Sequence, residues 1–164
     1  GFGDTAVVKQ VLQKQLTTAG SFSVSTATWT DITGASLAIT PSSTDSKILI
    51  TGTICIAHLS YGGIRIVRDS TAIGDPTDSI GSRAGCHIGN QNHDAASNYE
   101  VFPHPLHWID SPATTSAITY KVQCHFSSGI TVYINQEKLD GDSAGRTRTV
   151  STITLTELSA ATLS

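Results

Sequence analysis

The densest set of side chains able to do chemistry in this chain is His104-Pro105-Leu106-His107, taken with His87, His93 and Cys86. Imidazole and thiolate suit zinc, and an interval of three residues can bring two ligands onto one ion. On a strand, however, residues 104 and 107 face opposite ways, so the spacing reads as loop or surface histidines and no metal is assigned. Asp140-Gly141-Asp142-Ser143-Ala144-Gly145 has the opening of a calcium loop without the later acidic ligand, and reads as a hairpin turn. Nucleophilic chemistry finds no constellation either: there is no P-loop, and Ser111, Asp110 and His107 are neighbours in sequence only. Glu100, Glu137 and Glu157 could pair across a sheet for glycoside cleavage, but chain spacing does not set their separation. The expectation is a protein that is not an enzyme and has no cofactor.

The elements that hold these residues are more legible. Ile118, Tyr120, Val122, Cys124 and Phe126 alternate with Thr119, Lys121, Gln123 and His125. Successive strand side chains point to opposite faces, so this is a strand with one face on an apolar core. The same logic predicts strands over 7–16, 22–32, 37–39, 47–57, 64–68, 106–109, 117–126, 130–136 and 149–158, punctuated by Gly, Pro, Asn, Asp and Ser. Ile48, Ile50, Ile118, Val122 and Val132 are the predicted core. From 69 to 105 the texture changes to Gly, Asp, Asn, His and Ser with short apolar islands, a loop-rich insertion whose length predicts a function.

Composition bounds the rest. The chain has 164 residues, 38% hydrophobic and only 14% charged, enough for one domain spanning 1–164 in which 1–16 is a lead and first strand. Serine and threonine make up roughly a quarter of it, a mixture that favours strands and turns over helices. The fold class predicted is all-β, an antiparallel, jelly-roll-like β-sandwich. A net charge of −3 and a pI near 6.0 argue against nucleic acid as a partner, Arg146 and Arg148 being the nearest approach to a basic patch. No run approaches the ~18 apolar residues of a membrane span, so no membrane insertion is expected. Three cysteines, Cys55, Cys86 and Cys124, do not make a closed disulfide framework, and Cys55 and Cys124 read as small buried hydrophobes. The lack of any methionine is what a processed product or an excised piece would show.

A set of segments, in order, carries a resemblance. They are Val7-Val8-Lys9-Gln10-Val11-Leu12-Gln13, Trp29-Thr30-Asp31-Ile32-Thr33-Gly34, Ile39-Thr40-Pro41-Ser42-Ser43-Thr44-Asp45-Ser46-Lys47-Ile48-Leu49-Ile50 and Arg68-Asp69-Ser70-Thr71-Ala72-Ile73-Gly74. Asp110-Ser111-Pro112-Ala113-Thr114-Thr115-Ser116-Ala117-Ile118-Thr119-Tyr120-Lys121-Val122-Gln123, Thr131-Val132-Tyr133-Ile134-Asn135 and Ser151-Thr152-Ile153-Thr154-Leu155 continue the series. Together they resemble a domain of marine and freshwater phage virion proteins. The resemblance implies a trimeric structural β-sandwich on a fibre, spike or capsid surface, and it names no catalytic residue.

The function expected is therefore that of a fibre or spike tip domain that trimerises and presents loops to a host-surface receptor, a glycan by preference. The alternative is a capsid decoration or cement protein on the outer head surface. Its partners would be two further copies, other virion proteins and the receptor. Its location would be the virion, assembled in the host cytoplasm. Within the 69–105 segment, Arg83, His87, Asn90, Asn92, His93 and Tyr99 are the candidate receptor-binding residues, since guanidinium, imidazole, amide and phenol groups hydrogen-bond or stack on sugars with little net charge. Tyr61, beside Gly62-Gly63, is a further exposed-aromatic candidate, whereas Trp29 and Trp108 are expected in the core or at subunit contacts.

Overall fold

A strand that alternates strictly can bury one face only if another layer covers it, and a second sheet does so here. In the computed structural model residues 7–78, 81–90 and 100–159 are described, and they form eleven strands with no helix. The strands are β1 (Val8–Leu16), β2 (Gly20–Val24), β3 (Thr30–Ile39), β4 (Lys47–Ala57), β5 (Gly62–Arg68), β6 (Thr71–Ile73), β7 (Ile88–Asn90), β8 (Phe102–Asp110), β9 (Ile118–Phe126), β10 (Ile130–Ile134) and β11 (Ser151–Leu158). Every pairing between them is antiparallel.

One sheet is ordered β1-β11-β4-β8, and β2 and β10 continue the lines of β1 and β11 beyond a break. The other is ordered β3-β9-β5, with β6 and β7 sharing the far edge of β5. Counting each broken line as one strand in chain order, the sheets run 1-8-3-6 and 2-7-4-5. That connectivity is a jelly roll, so the predicted fold class holds.

The core lies between the sheets. Ile48, Ile50, Ile118, Val122 and Val132 are all buried, as the alternation requires, with Tyr120, Phe126, Ile153 and Leu155 among the largest side chains beside them. Cys55 and Cys124 are buried and unpaired. The predicted strands over 22–32 and 37–39 need correction. The first ends at Val24 and a turn follows, while β3 runs unbroken across Thr33-Gly34 by bulging against β9 between Asp31 and Ser36. Gly34 takes φ +78°, which a bulge accommodates without ending the strand. The 69–105 segment holds β6, β7 and the first residues of β8, which starts at Phe102 rather than Leu106.

Buried polar networks pin the ends of the strands. Glu157 on β11 is fully buried and accepts hydrogen bonds from Ser42 N (2.7 Å), Ser42 Oγ (2.6 Å), Ser46 Oγ (2.7 Å) and Gln10 Nε2 (2.6 Å). Burial acts to raise its pKa, but those donors outweigh it and bring the carboxyl down to about 2. The Thr40–Ser46 segment is thus a clamp on one carboxylate. At the break between β10 and β11, buried Asn135 donates to Leu16 O (2.7 Å) and Thr18 O (3.2 Å) and accepts from Ser151 Oγ (2.6 Å). It sits at φ +58°, a region asparagine tolerates better than most residues. Between the sheets, Arg68 Nη1 and Tyr120 Oη converge on Asp110 at 2.7 and 2.6 Å.

Candidate functional site

At one end of the β5–β9 sheet the corner entering β5, the connector before β7 and the end of β9 meet around a groove of about 360 Å³. It is lined by Tyr61, Gly62, Gly63, Ser82, Arg83, Ala84, Cys86, His125 and Ser127. Positions 62 and 63 must be glycine because protein atoms fill the space a side chain would need. A Cβ on Gly62 would lie 1.9 Å from His125 O, and one on Gly63 would lie 2.7 Å from Cys86 Sγ. Tyr61 is 64% exposed, with its backbone tied down where Ser127 N donates to Tyr61 O at 2.8 Å. Below it, Ser60 Oγ shares hydrogen bonds with Ser127 Oγ (3.1 Å) and Ser128 Oγ (2.9 Å).

His125 lies on the outer face of β9, opposite to buried Cys124 and Phe126. Its ring packs on Trp29 with centroids 5.2 Å apart, and Arg65 stacks over the same indole at 4.1 Å while its Nε donates to Gln123 Oε1 at 2.9 Å. The Nδ1 of His125 is buried and has no hydrogen-bond partner among the described residues. Cys86 is half-buried, and burial, with the nearby Asp75 charge adding to it, pushes its thiol above the ordinary range. It is therefore held as the thiol, the form least suited to attack or to bind a metal.

The candidate residues named from sequence fall in different places. Arg83 lines the groove. His87 turns the other way, edge-on to Trp108 with centroids 6.1 Å apart, and its Nε2 receives the His107 N–H at 3.5 Å. Asn90 is the last residue of β7, paired with Gly62 at the rim. Asn92, His93 and Tyr99 lie outside the described residues. Tyr61 joins Arg83 at the groove, and it carried a sequence signal, an aromatic beside two glycines. His125 and Ser127 carried none, because a polar residue on the outer face of a strand has the same pattern whether or not a loop folds beside it.

The histidines of β8 separate as strand geometry demands. His104 is buried, with Nδ1 3.2 Å from Ile54 O, and His107 is exposed on the other face. Among the described residues no three His, Cys, Asp or Glu side chains converge as metal ligands would. Trp108 is 38% exposed at the edge of the sheet rather than in the core, and Trp29 is half-buried on the outer face of the other sheet. Gly141-Asp142-Ser143-Ala144-Gly145 has the Gly-x-Ser-x-Gly spacing of a hydrolase nucleophile elbow, a pattern the sequence reading missed. In the structure it is an exposed turn between two strands, with Ser143 N bonded to Gly141 O, and not the strand-to-helix corner that such an elbow needs. The two arginines after it are engaged in ion pairs, Arg146 with Glu137 at 2.9 Å and Arg148 with Asp140 at 2.6 Å.

The outer face of the β1-β11-β4-β8 sheet differs from the rest of the surface. Cross-strand register sets Val11, Thr156, Leu49 and Ile109 in one row, Gln13, Thr154, Thr51 and His107 in the next, and Gln15, Thr152, Thr53 and Pro105 in a third. None of these twelve positions is Asp, Glu, Lys or Arg. Val11 and Ile109 are 58% and 53% exposed, and Val8, beside this face, is 55% exposed.

No family model and no curated protein matches the chain. Two solved structures of infectious bursal disease virus are similar to it in part. A chain of the Gx strain matches at 15% identity with a TM-score of 0.36, covering 95% of this chain and 41% of that one. A chain of the Gt strain matches at 16% identity with a TM-score of 0.40, covering 97% and 39%. This chain spans about two fifths of the length of those it matches. TM-scores at this level carry no argument, and the fold class rests on the strand connectivity itself.

Proposed function

We propose that the chain is a structural jelly roll of a phage particle, one that packs against copies of itself as a trimer through the outer face of its β1-β11-β4-β8 sheet. The carrying observation is the three-row, charge-free surface on that sheet. A solvated sheet face ordinarily alternates charged and polar residues, whereas the centre of a protein interface is depleted of charge. Short threonine side chains lose little rotamer freedom when covered, and a flat Thr array admits close approach. Jelly rolls also serve as lectin domains and cupins, so fold alone does not select a virion role. The resemblance of the sequence to phage virion domains supports that choice.

Packing through this face leaves the Tyr61 groove open on the opposite sheet, which favours the host-attachment reading over decoration or cement. Light scattering of the purified chain is expected to give three times the 17.2 kDa chain mass. A monomer at micromolar concentration removes the assembly reading, and imaging of intact particles then separates a fibre or spike tip from the head surface.

A further inference from the structure

We propose that the cavity at the kink between β1 and β2 receives residues 1–6 of a second copy of this chain, with Phe2 entering it and Asp4 pairing with Lys14 at its edge. The proposal rests on the assembly reading above and adds to it a segment that one copy contributes to the next.

The cavity measures about 350 Å³ and opens where β1 gives way to β2, beside the bulge in β3. Leu16, Phe22 and Ile134 line it, Leu16 and Ile134 as members of the core and Phe22 half-buried against that core. Two glycines on its lining leave room, unlike the pair beside Tyr61. A Cβ on Gly20 would come no nearer than 4.0 Å to Ile134, and one on Gly34 no nearer than 3.6 Å to Leu16, both ordinary contacts. An apolar cavity of about 150 Å³ already admits benzene. The space here therefore suffices for a phenyl group and part of its backbone.

Charge narrows the occupant. Lys14 lies on the same side of β1 as Leu12 and Leu16, opposite to Gln13 and Gln15, yet it is exposed at the cavity. It has no ion pair among the described residues, and no Asp or Glu lines the cavity. The arrangement fits an apolar group with an acid close beside it. Residues 1–6 read Gly-Phe-Gly-Asp-Thr-Ala. In an extended segment residues two apart project to the same side, roughly 7 Å from one another. Phe2 and Asp4 would thus present a ring and a carboxylate together, with a glycine between them.

Reach decides which copy supplies the segment. Val7 is held at the start of β1, where Ser159 N donates to Val7 O at 2.8 Å and Val7 N donates to Ser159 Oγ at 2.9 Å. Leu16 stands nine residues further on, about 30 Å away along the strand. Phe2 stands five residues before Val7 and reaches at most about 18 Å from it when fully extended. A chain's own Phe2 falls short of its own cavity, so the contact joins the start of β1 in one copy to the end of β1 in the next. Contacts between two different patches are heterologous, and threefold rotation closes them into a ring.

The test uses the full chain, isotopically labelled and carrying Phe2→Ser with Asp4→Ser so that its own segment does not compete. Backbone amide shifts are followed during titration with the peptide Gly-Phe-Gly-Asp-Thr-Ala, amidated at its carboxyl end. The peptide is expected to move the amides of Gly20, Ser21, Thr33 and Gly34 at millimolar concentration, and a Phe2→Ser peptide roughly tenfold more weakly or not at all. An Asp4→Asn peptide, or Lys14→Glu in the receiving chain, is expected to weaken binding roughly threefold, and an Asp4→Lys peptide to recover the loss in Lys14→Glu. In light scattering, Phe2→Ser with Asp4→Ser is expected to raise roughly tenfold the concentration at which the trimer dissociates.

Absence of any shift at the cavity overturns the proposal, as does an equal response to the Phe2→Ser peptide. Octanoate moving the same amides as strongly as the peptide would make this a site for small acyl ligands and not for a segment of the chain. Unchanged binding in Lys14→Glu removes Asp4 as its partner and leaves the lysine a guard of the β1 edge against strand addition. A trimer that is as tight in the Phe2→Ser, Asp4→Ser chain as in the parent removes the exchange between copies. A trimeric parent with no shift at the cavity fails this proposal alone, whereas a monomeric parent fails the assembly reading and the exchange with it.

Discussion

Buried titratable side chains shape how this protein meets acid, the neighbouring histidines His58 and His104, both lowered by burial, in one pH window and Glu157 in another. His58, just past the end of β4, is buried against Phe126 (ring centroids 4.6 Å) with His104 6.3 Å away, and its Nδ1 has no partner among the described residues. Burial, reinforced by the His104 charge, lowers its pKa to about 4, against the opposing effect of a Ser60 backbone hydrogen bond. The unfolded chain therefore binds a proton near pH 6.5 that the folded chain does not, so stability is complete above that pH and falls as the pH drops toward 4. Glu157 works lower down. Its folded pKa is depressed, so its contribution is present above about 4.5 and is lost as the pH falls toward 2. Each window is worth about 3 kcal/mol at most. Chemical denaturation at a series of pH values should show both losses. His58→Leu should reduce the first, leaving the part that buried His104 contributes, and Glu157→Gln should flatten the second while costing about 2 kcal/mol at pH 7. A Glu157→Gln protein as stable as the parent at neutral pH would show that the Ser42 and Ser46 clamp contributes nothing.

At the scale of the strands, the tightest constraint is the seam between β4 and β11. A Cβ on Gly52 would lie 2.1 Å from Thr152 O, a backbone atom that cannot move without breaking the ladder that continues through Thr53 and Thr51. Gly52→Ala is expected to cost at least about 3 kcal/mol and to lower Tm by roughly 10 °C, measured by calorimetry. An unchanged Tm would mean that the two strands can shift apart freely. The outer edge strand β8 carries Pro103 and Pro105, which cannot donate to a further strand. That placement disfavours strand addition at this edge.

For the whole molecule, the proposed assembly face is the outer side of the β1-β11-β4-β8 sheet, and it can be tested without touching the core. Val11→Lys combined with Ile109→Lys places two charges in the apolar row and leaves the core untouched, since both side chains are more than half exposed. The double variant is expected to run as a monomer in light scattering while keeping a cooperative unfolding transition. An intact trimer would move the subunit contact to another surface. Loss of the transition would show that this face supports the fold of the single chain.

Much of the architecture was written in the local pattern. Period-two alternation in 118–126, the apolar run of 47–57 and the threonine ladder at Thr152, Thr154 and Thr156 each settled a strand and its buried face, because side-chain direction in a strand depends only on the parity of position. Parity also separated His104 from His107. What it could not settle is which strands lie side by side. Ser42 and Ser46 meet Glu157, Arg68 and Tyr120 meet Asp110, and Asn135 meets Leu16 and Thr18 only because the chain crosses between sheets, contacts that span up to 119 positions. The groove is the clearest case. Arg83 and Tyr61 were legible as exposed polar and aromatic groups, but His125 and Ser127 joined them through the pairing of β5 with β9, and no local propensity encodes that neighbour.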